Sequence, residues 1–357
     1  MNQNKKILIA VVTFLALGTG AWFYFSKKEK PQPAFECLHG QTEIYEKYKN
    51  AVVLVKHTYS LKFKIKDSQP FSIDVDTYGL QDQTITGTGF FICEDGKIAT
   101  NHHVVEPWKY DTNNSYSLDY LKEHIATILP DSIATSDIKS YLEKNWETYN
   151  EDGEDYEGNE EDATTDVTND TLQTTTPTEE ATATAPATPE FKTVSIDDIE
   201  ITPVTKEISI ALHGSNDEWL PCKVLTISDE EEVDVATIQT QDEALPSKVK
   251  NIIDIETAIS DDASLKPGTK AILIGYPMGM TLANTRKGIM VQTYEGQISK
   301  ESDGISIQYN ITSTHGASGS PIFNECGQLI AINYAGYDEA QGYNFGIVAK
   351  YVQKIAN

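Results

Sequence analysis

Gly316-Ala317-Ser318-Gly319-Ser320-Pro321 is the stretch on which the fold of this 357-residue chain turns. A serine sits among small residues, entered from the polar run Thr312-Ser313-Thr314-His315 and left through the apolar Pro321-Ile322-Phe323. The turn Asn324-Glu325-Cys326-Gly327 follows. A hydroxyl attacks an acyl carbon only when a base removes its proton and donors hold the developing oxyanion. Glycines beside the serine let the backbone turn so that its own N–H groups point at that oxygen. Alone, a Gly-x-Ser-Gly run is common in turns; its partners give it meaning.

Those partners lie upstream. Thr86-Gly87-Thr88-Gly89-Phe90-Phe91-Ile92-Cys93 is strand-like and reaches the turn Glu94-Asp95-Gly96. A second strand, Lys97-Ile98-Ala99-Thr100, ends at Asn101-His102-His103-Val104-Val105, which puts a histidine at a strand end on a barrel rim. In Glu232-Val233-Asp234-Val235-Ala236-Thr237-Ile238, Asp234 heads an apolar run. A buried carboxylate there can orient an imidazole and stabilise its charged form. The order His, Asp, Ser is the one the chymotrypsin-like fold uses. An α/β-hydrolase needs Gly-x-Ser-x-Gly, where Ser320 stands here, and places its acid and histidine after the serine.

Together these blocks resemble a trypsin-like serine peptidase of the HtrA/Deg type, without a PDZ domain. Residues 43–55 resemble that family's entry helix and first strand. Residues 87–105 resemble its Gly-x-Gly-Phe…Thr-Asn-x-His-Val block, which maps the catalytic histidine onto His103 rather than His102. Asp234-Val235-Ala236, residues 265–279 and residues 307–333 resemble its acid, Gly-x-Pro-x-Gly and nucleophile blocks. The resemblance implies an all-β fold of two six-stranded antiparallel β-barrels, with the site in the cleft between them. It also implies acyl transfer: Ser318 as nucleophile, His103 as base, Asp234 as orienter, and the N–H groups of Gly316, Ser318 and Ala317 as the oxyanion hole.

Departures from the pattern bear on specificity. Ala317 stands where trypsins carry an acid that pairs with a freed N-terminus, so activation through such a pair is not expected. Ser320 replaces the second glycine, as in glutamyl endopeptidases, but the histidine those enzymes use maps to Asn333, and no Glu specificity follows. The aligned pocket positions, Thr312 and Ser313, are polar and uncharged, which argues against a basic substrate side chain. With His315 at the rim and Asn333, they are the expected substrate-binding residues. The competing reading is a protease-fold binding or sensor protein silenced by the changes at 317 and 320. His39, His57, His124 and His213 have no metal-ligand spacing and read as surface or structural.

Residues 7–25 carry no charge and are bounded by Lys5-Lys6 and Lys27-Lys28-Glu29-Lys30. As a helix they would span about 28 Å, enough for a bilayer core. Trp22, Phe23, Tyr24 and Phe25 would form an outer aromatic belt. No small-x-small site follows at signal-peptide distance, so an uncleaved anchor is expected, with the bulk of the chain extracytoplasmic (periplasmic or extracellular).

Charge excludes a nucleic-acid role: 54 acidic residues face 28 basic ones, a net charge of −26, which repels phosphate backbones. Between residues 145 and 190 there is no Lys or Arg, and residues 164–189 are rich in Thr, Ala and Pro. Such a stretch buries too little apolar area to offset its chain entropy, so disorder is expected over 147–190. Ahead of it, residues 117–129 and 136–146 show helical periodicity with Ser or Asp starts. The expected organisation is an anchor over 1–30, a linker over 31–42, a first barrel over 43–107, an insertion over 108–199 (helical within 117–146), and the rest of the protease domain over 200–357. Strand 207–214 resumes the sheet, and residues 347–355 read as a closing amphipathic helix. Four cysteines, at 37, 93, 222 and 326, permit three full pairings, which stay open. No Cys-x-x-Cys, His-Glu-x-x-His or phosphate loop occurs, so no metal or other cofactor is implied. The expected partners are protein or peptide substrates and a membrane through the N-terminal helix, and an oligomer is compatible with the sequence.

Overall fold

The computed structural model describes residues 35–65, 68–73, 82–110, 118–146, 191–336 and 342–356. An entry helix, Gln41–Tyr48, buries Ile44 and Tyr48 and leads into strand β1 (Val52–Ile65). Then come β2 (Gln83–Phe91) and β3 (Lys97–Thr100), followed by the four-residue helix His102–Val105. The insertion contributes helices Leu118–Ile128 and Ile138–Asn145 and two short strands, β4 (Ile133–Ala134) and β5 (Phe191–Lys192). Strands β6 (Ile199–Leu212), β7 (Leu220–Ile227) and β8 (Ala236–Thr240) close the first barrel in the order β1-β2-β3-β8-β7-β6.

The second barrel starts with β9 (Lys270–Gly275). A small hairpin, β10 (Asn284–Thr285) and β11 (Gly288–Ile289), stands outside it. Then follow β12 (Gln292–Lys300), β13 (Ser306–Tyr309), β14 (Pro321–Phe323), β15 (Leu329–Gly336) and β16 (Asn344–Val348). It closes as β12-β13-β16-β15-β14-β9, with every pairing antiparallel. The expected pair of six-stranded antiparallel barrels is therefore the observed fold.

Strand periodicity explains how the barrels share their interior. Successive strand residues point to opposite faces. Along β9, Ala271 and Leu273 join the core of the second barrel, while Ile272 and Ile274 join a core running between both barrels. From Ala271 to Gly275 no face of β9 meets water, so after Lys270 it is apolar throughout.

The insertion is more than a spacer. β1 and β6 continue as a paired ribbon past a register shift at Thr58/Tyr59. Beyond it Leu61, Phe63 and Ile65 alternate with Lys62 and Lys64, and Phe63 faces Ile201 across the ribbon. Leu121 and Ile125 of one helix and Ile138 and Leu142 of the other cover that apolar face, making a second core with Trp146. The β4–β5 pair, Ile133 opposite Lys192, brings the two ends of residues 135–190 together at a neck.

Two expectations are corrected. The closing helix spans Ala349–Ala356, because Ile347 and Val348 continue the β16 ladder opposite Ile332 and Ala331. Strand 207–214 begins earlier, at Ile199, since β6 follows β1 outward along the ribbon, and it ends at Leu212 before the turn. The two expected helical runs are both present, at Leu118–Ile128 and Ile138–Asn145, with β4 between them. Residues 7–25 and the acidic stretch 147–190 lie outside the described residues. Among the described residues no helix is long and apolar enough to cross a membrane.

Cys37 and Cys326 form a disulfide with Cα atoms 4.4 Å apart. Leu38 N–H also donates to the Cys326 carbonyl (3.0 Å), so the N-terminal arm is fastened to the turn between β14 and β15. Cys93 and Cys222 are free thiols. Burial, helped by the Asp242 charge, pushes the Cys222 thiol up to about 12.

Candidate active site

Register brings the acid to the histidine. β3 and β8 pair antiparallel with Thr100 opposite Ala236. The chain leaves the ladder there and turns into the helix His102–Val105, close to the residues just before β8. Asn101 fixes the approach by donating from Nδ2 to the Asp234 carbonyl (2.7 Å). The Asp234 carboxylate then accepts the His103 backbone N–H at Oδ1 (2.9 Å) and meets His103 Nδ1 at Oδ2 (2.5 Å). The carboxylate is 6% exposed and the imidazole 25%. With Nδ1 held from behind, Nε2 is the nitrogen left for proton transfer at the open edge.

His102 has both ring nitrogens engaged, Nε2 with Glu106 (2.6 Å) and Nδ1 with the Tyr110 hydroxyl (2.6 Å). Burial alone would raise the Glu106 carboxyl, but hydrogen bonds from Lys109 and His102 hold it below the usual range. The Tyr110 ring lies edge-on to both histidines. Its hydroxyl is pushed well up by burial and then by the negative charges of Asp234, Glu106 and Glu231. His57, fully buried on β1, bonds through Nδ1 to the Val104 carbonyl (3.0 Å) and through Nε2 to Thr205 Oγ1 (3.1 Å). It thereby ties the His103 helix to the root of the ribbon. Burial lowers its pKa, against the bond to Val104.

The nucleophile turn is defined by where its backbone groups go. The His315 carbonyl accepts from Met278 N–H (2.6 Å), and that of Ala317 from Ser320 N–H (2.9 Å). The Gly316 carbonyl accepts from the Thr88 hydroxyl (2.8 Å), and that of Ser318 from Thr88 N–H (2.7 Å). Ala317 N–H donates to Thr314 (3.0 Å) and Gly319 N–H to Asn333 (2.8 Å). Among the described residues, the N–H groups of Gly316 and Ser318 have no such partner. In a trans peptide the C=O and N–H point opposite ways, so the grip of Met278 on the His315 carbonyl turns Gly316 N–H the other way. Two donors beside Ser318 are the arrangement an oxyanion needs. Ala317 is the correction: its N–H closes the turn and is not a third donor.

Gly87 lies between the two halves of the site. A Cβ added there would meet Val104 Cγ2 at 2.7 Å and the Ser318 carbonyl at 3.3 Å. Gly316 has φ +89°, and a Cβ on it would meet Gly279 N at 2.4 Å, so no side chain fits. Ser320 is accommodated because Gly275 faces it: a Cβ at 275 would sit 1.9 Å from Ser320 Oγ. No hydrogen bond joins Ser318 to His103 among the described residues; in empty sites such bonds often tighten only with substrate.

Of the expected substrate-binding residues, Ser313 and Asn333 are brought together: Ser313 Oγ donates to Asn333 Oδ1 (3.3 Å). Tyr309, which sequence reasoning missed, donates its buried hydroxyl to the same oxygen. Thr312 and His315 are exposed and take no part in that group. Thr88, Asn101, Tyr110 and Met278 were also missed, although Thr88, Asn101 and Met278 sit inside the motif blocks. Among the described residues no group of three or more His, Cys, Asp or Glu could hold a metal ion.

The sequence matches the family described as Trypsin-like peptidase domain over residues 87–332, more than half the chain. The chain belongs to that family. The match ends inside β15. No curated protein matches the chain. Among solved structures it is similar to the HtrA-type protease AlgW with a decapeptide. That likeness has 14% identity and a TM-score of 0.41, over 88% of this chain and 65% of that one. The serine endoprotease from Yersinia pestis gives 13% identity and a TM-score of 0.42, over 89% and 66%. The chain spans a little under two thirds of the length of these proteins.

Proposed function

We propose that this trypsin-like peptidase is a membrane-tethered serine endopeptidase of the HtrA type that cuts exposed or misfolded protein segments outside the cytosol. One observation carries the chemistry: Ser318 sits beside two uncommitted N–H groups and across Gly87 from Val104, the neighbour of His103, whose Nδ1 is held by a buried carboxylate. Ser318 Oγ attacks the peptide carbonyl while His103 Nε2 takes its proton and later returns it to the leaving amine. Asp234 keeps the proton on Nδ1 and stabilises the imidazolium. Gly316 and Ser318 N–H hold the oxyanion, each worth about 3–4 kcal/mol in comparable sites.

The neutral group of Ser313, Asn333 and Tyr309 supports a pocket that does not select basic side chains. The Cys37–Cys326 disulfide supports an oxidising, extracytoplasmic location for the domain. The apolar run 7–25 would supply the tether. Ala317 and Ser320 leave the turn and its two donors intact, which favours the enzyme over a silent binding protein.

The test is labelling of the full chain by a fluorophosphonate probe beside Ser318→Ala. Labelling confined to the unmodified chain is expected. Labelling that survives in Ser318→Ala, or that neither chain shows, overturns the assignment.

A further inference from the structure

We propose that Thr88 is a positioning residue for the reaction: its hydroxyl sets the oxyanion donors from the opposite barrel without touching substrate. The inference deepens the peptidase reading and rests on it. Thr88 lies on β2, opposite Leu54 of β1, and is fully buried. It contributes bonds to three separate segments. Its N–H donates to the Ser318 carbonyl (2.7 Å), and its carbonyl accepts the Thr100 hydroxyl (2.8 Å) three residues before His103. Its Oγ1 donates to the Gly316 carbonyl (2.8 Å) and accepts Tyr276 N–H (3.1 Å).

The hydroxyl's two bonds matter most. Among the described residues no other group holds the Gly316 carbonyl, so without Oγ1 the Gly316–Ala317 peptide keeps only the Ala317 N–H bond to Thr314. Tyr276 opens the segment whose Met278 N–H holds the His315 carbonyl, and that second grip orients Gly316 N–H. One hydroxyl therefore fixes the Gly316 peptide on one side directly and on the other through residues 276–278. The fit is close: a Cβ on Gly319 would lie 1.9 Å from the Thr88 carbonyl, so the turn seats on this residue at van der Waals contact. An oxyanion hole works because its donors are fixed before charge develops, and a loose donor must be reordered in every turnover. Losing the lock is expected to slow acylation by about tenfold to a hundredfold, less than deleting a donor outright.

The test uses the full chain and a fluorophosphonate probe, whose phosphoryl oxygen would occupy the oxyanion position. Thr88→Ser keeps the hydroxyl and drops the methyl. Thr88→Cys keeps the size of that serine but is a poor hydrogen-bonding group, and Thr88→Val keeps the threonine shape. Expected are near-normal labelling for Thr88→Ser, slow labelling for Thr88→Cys and Thr88→Val, and an unchanged pH profile, since His103 and Asp234 are not altered. Thr88→Cys labelling at the Thr88→Ser rate overturns the proposal, as does equal slowing of both, which would assign the effect to the methyl. If Thr88→Val fails to fold, the Ser and Cys pair decides. Amide exchange across residues 314–320 separates the two readings. If the unmodified chain never labels, the peptidase reading falls, while faster exchange of Ala317 and Ser320 N–H in Thr88→Cys than in Thr88→Ser still upholds the lock. Equal exchange overturns it.

Discussion

The two halves of the site are held by different means. The histidine half rests on side chains: Asp234 grips the imidazole, Asn101 grips the Asp234 segment, and His102 is pinned by Glu106 and Tyr110. The serine half rests mostly on backbone, with Thr88 reaching in from the other barrel. Side-chain grips depend on charge and protonation, so they answer to pH and to isosteric substitution. Backbone grips depend on φ and on empty space, so they answer to an added methyl and hardly at all to pH.

That contrast can be broken most sharply at Asp234. Asp234→Asn is expected to lower the labelling rate about 10⁴-fold by favouring the wrong imidazole tautomer, with a changed pH–rate profile. A loss under tenfold would mean that the carboxylate does not orient the base. Gly316→Ala attacks the other half. The added carbon would lie 2.4 Å from Gly279 N and 2.6 Å from the Tyr276 carbonyl, on a backbone at φ +89°. The rate should fall about 10²–10³-fold, equally at every pH, because a donor rather than a base has been displaced. A pH-dependent loss there would erase the distinction between the halves.

Smaller effects fall on stability. Cys37→Ser removes the bridge that fastens the arm to the β14–β15 turn and should cost about 2–5 kcal/mol in urea unfolding. Labelling under native conditions should hold, since no triad residue touches the bridge. The mildest change is with pH. Burial lowers the pKa of His57, and also that of His124 and His213. The unfolded chain takes up protons on these groups near pH 6.5 while the folded chain does so only lower. Stability is thus full above about pH 6.5 and drains away as pH falls below it. The urea midpoint should drop between about pH 7.5 and 5.5, and His57→Gln should shrink the drop. A midpoint that stays constant would show that these rings are not buried in neutral form.

The same division explains what could be read from the chain alone. His103, Asp234 and Ser318 were legible because their chemistry is in their side chains and their order is diagnostic. His103 could be preferred over His102 only through the motif, and the bonds of Asp234 to His103, with both His102 ring nitrogens taken by Glu106 and Tyr110, then supply the physical reason. The serine half was legible only in outline. Whether the Ala317 N–H is spent within the turn depends on where Thr314 sits, which no residue type encodes. Pairing of Cys37 with Cys326 required the path of an arm with no periodicity. The insertion helices were visible as periodic runs. Their purpose was not, because the ribbon they cover comes from β1 and β6, more than 130 residues apart in sequence.

The neck formed by β4 and β5 has a consequence for how this protein can change over evolutionary time. Ile133 and Lys192 face each other across two paired strands, so whatever joins them leaves and returns at one place. The entropic cost of closing such a loop grows only logarithmically, by about 0.6 kcal/mol for each doubling of length. Insertions, deletions and wholesale replacement between residues 147 and 190, past the helix that packs on the ribbon, are therefore nearly invisible to the barrels. The domain carries a socket into which new sequence can be grafted while the chemistry at Ser318 stays under separate selection.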